Sequence, residues 1–189
     1  MKNIWIAPTK IGLYVIILFL AAITVVTILK AENVGITVGE VANSVKDLIK
    51  NNPSHSLAGQ DDEINQLASQ IKDASDKWGV NPHLLVAMIY CESSFNYRAY
   101  NPDKGEWGYM QVHGVAKTRC EKRGYNLDLK EDQIKCGTWW LSTRIKRCGN
   151  LERGLTAYAC GRCETNSYKV VWIVRRRLNM ARRLERSHR

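Results

Sequence analysis

A stretch of nineteen residues without a charge, Ile11–Leu29, constrains this chain more than any other feature. At a rise of about 1.5 Å per residue, a helix of this length nearly crosses a hydrocarbon layer of about 30 Å. A cleavable signal peptide usually has an apolar stretch of only about 7–15 residues before a small-x-small site, and Leu29, Lys30 and Ala31 form a poor one. The pattern therefore favours an uncleaved, single transmembrane helix that acts as a signal anchor over residues 1–30.

Charges on either side of this stretch indicate its orientation. Lys2 and Lys10 precede it, whereas Lys30 is the only basic residue in the fifteen positions that follow. By the positive-inside rule, the N-terminus is expected in the cytoplasm and the remaining chain in the periplasm or outside the cell. All six cysteines follow residue 90, and an even number is typical of disulfides formed in an oxidising compartment.

The pairing of the six cysteines cannot be deduced from their spacing. Cys160-x-x-Cys163 taken alone is also compatible with zinc or redox chemistry. A structural zinc site normally needs a second close pair of Cys or His, and Cys120, Cys136 and Cys148 are widely spaced. Structural disulfides are therefore favoured over a metal.

The segment after the apolar stretch has a short helical pattern followed by a loop. Val38, Val41 and Val45 recur at helical spacing, and residues 51–60 are rich in turn-forming residues. Residues 31–61 are accordingly interpreted as a stalk or linker that contains a short helix.

Two helices are predicted at the start of the globular part. The first follows Asp61 and Asp62, which are good N-caps, and Gly79 stops it. The second begins at Asn81 with Pro82 in its first turn. Its apolar residues recur at three- and four-residue steps, which predicts one buried face.

Glu92 interrupts that apolar face, in a stripe with Leu85, Met88, Ile89 and Phe95. Burial raises the pKa of a carboxyl group, and the negative end of a helix dipole raises it further. A Glu that is protonated near neutral pH can donate a proton to a leaving oxygen. The alternative is that Glu92 lies at the helix end and turns to water.

The loop at residues 96–111 has the composition of a sugar-binding surface. Gly105 and Gly108 allow backbone to approach a ligand closely, and Gln111 offers both a donor and an acceptor. Aromatic rings supply stacking faces, although each ring taken singly is more often part of a core. The aromatic residues are Tyr97, Tyr100, Trp107 and Tyr109.

Four sequence blocks follow one another in a distinctive order. They are GVNPHLLVAMIYCESSF (79–95), GEWGYMQ (105–111), LDLKEDQIKCGTWWL (127–141) and NLERGLTAYACG (150–161). In this order they resemble the soluble-lytic-transglycosylase-like (SLT) domain of lytic transglycosylases, which is related to goose-type lysozyme. The resemblance covers residues 62–165 and implies a mainly α, lysozyme-like catalytic domain. Residues 166–189 then form a basic C-terminal helix or tail.

The resemblance implies roles for individual residues. Glu92 matches the catalytic carboxylate, and no metal or other cofactor is implied. Ala159 departs from the family, which usually has Asn there, and Cys160 replaces the next small residue and is expected to tie this helix down. The positions implied to bind substrate are Ser93, Ser94, Met110, Gln111 and Tyr158.

The implied reaction cleaves the β-1,4 bond between N-acetylmuramic acid and N-acetylglucosamine in peptidoglycan and leaves a 1,6-anhydromuramic acid end. A hydrolytic lysozyme on the same fold is an alternative that would ordinarily need a second carboxylate or a positioned water. Asp103 and Glu106 are the candidates, and both are expected to be solvated loop charges. A cysteine peptidase with Cys91 and His113 lacks an evident third residue. A catalytically inactive wall-binding or assembly component is a further alternative.

Positive charge is concentrated at the end of the chain. Eight Lys or Arg and two Glu lie between Glu164 and Arg189, in a chain of net charge +10. Such a field attracts anionic lipids or wall polymers, and no zinc-finger or RNA-binding signature favours nucleic acid. The alternative is a solvated basic face on a helix whose residues Val170–Ile173 pack inward. Wall remodelling, a secretion machine and a phage particle are all compatible settings for a small tethered enzyme.

Overall fold

Helices make up most of residues 35–188, the part of the chain that the computed structural model describes. In chain order the elements are α1 (Val38–Ile49), α2 (Asp61–Trp78), α3 (Pro82–Ser93), β1 (Tyr100–Asn101), β2 (Glu106–Trp107), α4 (Gly114–Glu121), α5 (Lys130–Cys148), α6 (Leu151–Cys160) and α7 (Tyr168–Ser187). The two short strands pair antiparallel, with Tyr100 opposite Trp107. The predicted mainly α class is confirmed.

The expected membrane anchor, residues 1–30 with its apolar span at 11–29, lies outside the described residues. Within residues 35–188, no helix is both long enough and apolar enough to cross a membrane. The chain from Ile36 onward forms one compact unit.

The short helix expected within residues 31–61 is α1, and it belongs to this unit. Val41, Val45 and Ile49 are buried in the common hydrophobic core. Helix α1 packs against α2 and α3. The segment therefore differs from a free stalk, because its apolar face is covered by the domain.

Helix α3 is the central helix of the unit. Every residue from Pro82 to Ile89 is buried, so the helix is enclosed on all sides by α1, α2 and α7 rather than on the single face that its sequence predicts. Its start agrees with the sequence, since the Asn81 side chain accepts hydrogen bonds from two backbone N–H groups of the first turn. The helix ends before Phe95, which the sequence places on the same stripe. Ser94 ends the helix in the left-handed conformation, with φ of 49°.

Helix α7, at the end of the chain, packs along α3. The residues that it buries are Val174, Arg177, Ala181 and Leu184. The alternative in which Val170–Ile173 pack inward is wrong for Trp172, because 49% of that residue is exposed. The buried positions recur at three- and four-residue steps, so one face of α7 is covered and the opposite face is open to solvent.

Two disulfides cross-link the C-terminal half of the unit. Cys120–Cys136 ties α4 to α5, and Cys148–Cys163 ties the end of α5 to the segment after α6. The expected disulfides are thus confirmed for four of the six cysteines. Cys160 was expected to tie down α6 and is instead an exposed free thiol, because Cys163 forms that link.

Helices α5 and α6 approach each other closely at a glycine. A Cβ on Gly154 would lie 2.7 Å from the Cα of Ile145. Only a residue without a side chain allows this contact between two helix backbones. The close approach brings α6, and with it Tyr158, toward the end of α3.

Candidate active site

Glu92 lies in the last turn of α3 and its side chain turns into the protein. Only 17% of that side chain is exposed. Its Oε1 accepts a hydrogen bond from Nη2 of Arg177, which projects from α7, and the two groups form an ion pair. The alternative of a solvated Glu at the helix end is therefore wrong.

The surroundings of Glu92 change its acidity. Burial is the largest effect and raises the pKa of the Glu92 carboxyl above its usual value. The positive charges of Arg177 and Lys104 lower this pKa, and the negative charge of Glu106 raises it. Because the raising effects prevail, Glu92 keeps a proton to higher pH than an exposed Glu, which is what a general acid requires.

The two serines after Glu92 have different surroundings. The Ser93 hydroxyl lies 2.9 Å from the Tyr109 carbonyl oxygen and 3.1 Å from that of Ile89, so it fastens the end of α3 to the following loop. Ser94 is exposed at the helix end. Its carbonyl oxygen lies 2.9 Å from Nε2 of His55, a residue of the α1–α2 connection that the sequence does not mark as part of the site.

The buried side chain of Gln133, in α5, holds the loop at residues 96–111 in place by hydrogen bonds. It is only 2% exposed, and its Oε1 accepts a hydrogen bond of 2.9 Å from the Tyr109 N–H. Its Nε2 donates to the carbonyl oxygens of Leu127, at 2.8 Å, and Tyr97, at 3.1 Å. Sequence reasoning missed this residue, although a polar side chain inside the block at 127–141 is a usable signal.

Two glycines permit this packing. A Cβ on Gly108, whose φ is 74°, would lie 2.2 Å from Oε1 of Gln133. A Cβ on Gly137 would lie 2.5 Å from the sulfur of Met110. The loop can therefore sit directly on α5.

Met110 and Gln111 follow in this loop. The Met110 side chain is fully buried, and its sulfur also lies 3.9 Å from the Thr138 hydroxyl. Gln111 adopts a positive φ of 47°, and its Nε2 donates to the carbonyl oxygens of Ala99 and Gly108 at 3.2 and 2.9 Å. In this structure Met110 supports the loop from inside, and the amide nitrogen of Gln111 holds the loop's shape.

Tyr158 joins α6 to the same loop. Its hydroxyl donates a hydrogen bond of 2.7 Å to the Met110 carbonyl oxygen. Burial raises the pKa of Tyr158 far above its usual value, and the nearby charge of Glu92 raises it further. The phenol therefore stays protonated beside Glu92.

The model of one protein family, the transglycosylase SLT domain, matches residues 69–170. The chain belongs to this family. The match spans more than half of the 189 residues and indicates lytic transglycosylase activity on peptidoglycan in general. It includes Glu92 and Tyr158 and ends before Arg177.

Asp103 and Glu106, the carboxylates considered as a second catalytic group for this SLT domain, differ in their exposure. Asp103 is exposed, as expected. Glu106 is not a solvated loop charge, since only 19% of its side chain is exposed. Its Oε2 accepts a hydrogen bond of 2.7 Å from Asn101, and its charge raises the pKa of Glu92.

The features suggested for a cysteine peptidase do not favour that chemistry. Burial raises the pKa of the Cys91 thiol, which disfavours the nucleophilic thiolate. His113 lies beside Glu106, with Nε2 4.0 Å from its Oε1. Among the described residues, no group of three or more His, Cys, Asp or Glu could hold a metal ion.

The aromatic residues of the SLT loop divide into two groups. Tyr109 is buried and Tyr97 is half-buried against the core. Tyr100 is 57% exposed, and its ring meets the Trp107 ring edge to face at a centroid distance of 5.5 Å. Tyr100 is therefore the loop aromatic whose face is most accessible to a sugar.

Proposed function

We propose that this SLT domain is a peptidoglycan lytic transglycosylase that cleaves the β-1,4 bond between N-acetylmuramic acid and N-acetylglucosamine. The observation that carries the proposal is the Glu92 carboxyl, which is buried, has a raised pKa and lies inside the family match. A buried carboxyl of this kind is suited to give a proton and later take one back.

In the proposed reaction, Glu92 protonates the glycosidic oxygen, and the bond between that oxygen and C1 of muramic acid breaks. The acetamido group of the same sugar stabilises the positive charge that develops at C1. Glu92 then accepts the proton of the 6-hydroxyl group, whose oxygen bonds to C1 and closes the 1,6-anhydro ring. The carboxyl group ends protonated, no water is consumed, and no metal or other cofactor takes part.

The residues proposed to form the substrate site fall into two groups. Ser94 and Gln111 are close to the surface and are proposed to contact the sugars directly, together with the exposed ring of Tyr100. Ser93, Met110 and Tyr158 are proposed to support substrate binding by fixing the loop. This agrees with the hydrogen bonds from Ser93 to the Tyr109 carbonyl oxygen and from Tyr158 to the Met110 carbonyl oxygen.

A zymogram on purified peptidoglycan tests the activity. Wild-type protein is expected to clear the wall material, and Glu92→Gln is expected to leave it intact. Glu152→Gln is the matched control, because Glu152 is exposed on α6, and it should clear like wild type. Absence of clearing by all three proteins would favour a wall-binding or assembly component and contradict the enzyme proposal.

A hydrolytic lysozyme is the second candidate, and the position of Glu106 favours it specifically. Glu106 is partly buried, is held by Asn101 and acts electrostatically on Glu92. A hydrolase needs a second carboxylate to activate water or to form a glycosyl intermediate. Glu106 is the residue that would supply it.

For localisation, we propose that residues 11–29 anchor the protein in a membrane, with the N-terminus in the cytoplasm and the SLT domain in the periplasm. The two disulfides support an oxidising compartment for the domain. Alkaline carbonate extraction should leave the full chain in the membrane pellet. Release into the supernatant would contradict the anchor.

We further propose that the outer face of α7 contacts anionic phospholipid. This face carries exposed cations, and Trp172 lies among them, a residue enriched at membrane interfaces. The cations are Lys169, Arg175, Arg176, Arg182, Arg183 and Arg186. The compact unit 36–189 should pellet with phosphatidylglycerol vesicles, and Arg175→Glu with Arg182→Glu should abolish this. Binding to wall polymer without binding to vesicles would contradict the lipid assignment.

A further inference from the structure

Arg177 is an unusual neighbour for a carboxyl that has to act as an acid. It comes from α7, eighty-five residues after Glu92, and lies beyond the segment matched by the SLT family. The residue is only 5% exposed. A buried Arg is costly unless it is paired, so this position requires an explanation.

The guanidinium group has few hydrogen bonds besides the ion pair. Its Nη2 donates to Oε1 of Glu92, whereas Nε and Nη1 are buried and have no hydrogen-bond acceptor among the residues that the structure describes. A buried donor without an acceptor costs free energy, so hydrogen bonding alone does not explain the burial of Arg177. The hydrogen bond to Glu92 is the polar contact that Arg177 adds to the apolar packing of α7 on α3.

The charged and titratable groups around Glu92 come from several elements. Arg177 faces it from α7, Tyr158 from α6, Glu106 from β2 and Lys104 from the turn between the strands. Cys91 precedes Glu92 on α3, and the positive charge of Arg177 also acts on the Cys91 thiol. Of these groups, Arg177 is the one that bonds directly to a carboxylate oxygen of Glu92.

We propose that Arg177 is a positioning residue for catalysis: it fixes the Glu92 carboxyl and stabilises the carboxylate that remains after Glu92 has protonated the glycosidic oxygen. The catalytic meaning of this inference rests on the proposed function. A more stable carboxylate favours the step in which Glu92 donates its proton and disfavours the later step in which it accepts one. The ion pair therefore acts in opposite directions on the two proton transfers. Helix α7 therefore completes the active site of this SLT domain.

The ionisation of Glu92 can be measured without an activity assay. The full chain, labelled with ¹³C at the Glu side-chain carboxyls, is titrated by NMR, and Glu92→Gln identifies the Glu92 signal. In Arg177→Met the midpoint of that signal should move to higher pH by about one unit or more, since a neighbouring opposite charge has an effect of this size. Arg177→Lys, which keeps the charge, should move it less. Arg175→Met, an exposed position on the same helix, should leave it unchanged.

An unchanged midpoint in folded Arg177→Met would overturn the proposal. Should that variant not fold, Arg177→Gln, which can still hydrogen-bond to a protonated Glu92, takes its place with the same expected shift. Failure of both variants to fold would identify a purely structural ion pair and would also overturn the proposal.

The pH dependence of glycan cleavage supplies the catalytic readout. Activity requires protonated Glu92 and is lost as pH rises through its pKa, so the alkaline limb of kcat/KM in Arg177→Met should move to higher pH. Inactive wild-type protein would refute the proposed function, while the NMR titration would still decide whether Arg177 controls Glu92. The two failures are therefore distinguishable.

Discussion

The Tyr158 hydroxyl donates a hydrogen bond of 2.7 Å to the carbonyl oxygen of Met110, and so joins α6 to the loop that follows Glu92. Tyr158→Phe removes this donor and leaves a buried carbonyl oxygen unpaired, which costs about 1–3 kcal/mol. The melting temperature should fall by several degrees. Because a small displacement in an active site can cost up to about 100-fold in rate, kcat should fall as well. Unchanged stability and kcat would show that this bond does not hold the loop.

Glu106→Gln tests the electrostatic role of the second carboxylate. The negative charge of Glu106 raises the pKa of Glu92, so its removal should lower that pKa. The alkaline limb of the pH–activity profile should then move to lower pH, opposite in direction to the effect of Arg177→Met. The type of product should not change. A loss of about 100-fold or more in kcat would instead identify Glu106 as a catalytic group and favour a lysozyme.

A pair of glycine substitutions tests the contact between α5 and α6. Gly154→Ala gains about 1 kcal/mol in helix propensity but forces a side chain against the Ile145 backbone, and overpacking typically costs about 1–3 kcal/mol. Its free energy of unfolding should therefore decrease. Gly39→Ala, at an exposed position in α1 with room for a Cβ, should increase it. Denaturant titration measures both, and a stabilised Gly154→Ala would contradict the close approach.

The disulfide pairing and the reactivity of the free thiols can be tested chemically. Peptide mapping without reductant should find the pairs Cys120–Cys136 and Cys148–Cys163. Cys160 is exposed and should be alkylated quickly in the native protein, whereas burial raises the pKa of Cys91 and should slow its reaction. Reduction should lower the melting temperature, because each loop of about 15 residues is worth roughly 3 kcal/mol in the chain-entropy model. A disulfide that includes Cys91 or Cys160 would contradict this pairing.

Local signals in the sequence predict much of this fold and site. Asn81 and Gly79 mark helix ends in the sequence, because capping depends on residues that are neighbours in the chain. Glu92 can be recognised because it is a carboxylate among apolar residues. The contacts of Arg177 and His55 with the end of α3 could not be predicted, because they depend on how α7 and the α1–α2 connection pack. The same reason applies to α3, whose full enclosure requires neighbours from distant parts of the chain.

Mass spectrometry of the glycans released from purified peptidoglycan tests the central claim most directly. Wild-type protein should yield fragments ending in 1,6-anhydro-N-acetylmuramic acid as the main primary product, and Glu92→Gln should yield none. The anhydro ring forms only when the muramic 6-hydroxyl replaces water as the nucleophile. Fragments that end in reducing N-acetylmuramic acid as the main primary product would contradict the transglycosylase assignment and identify a lysozyme.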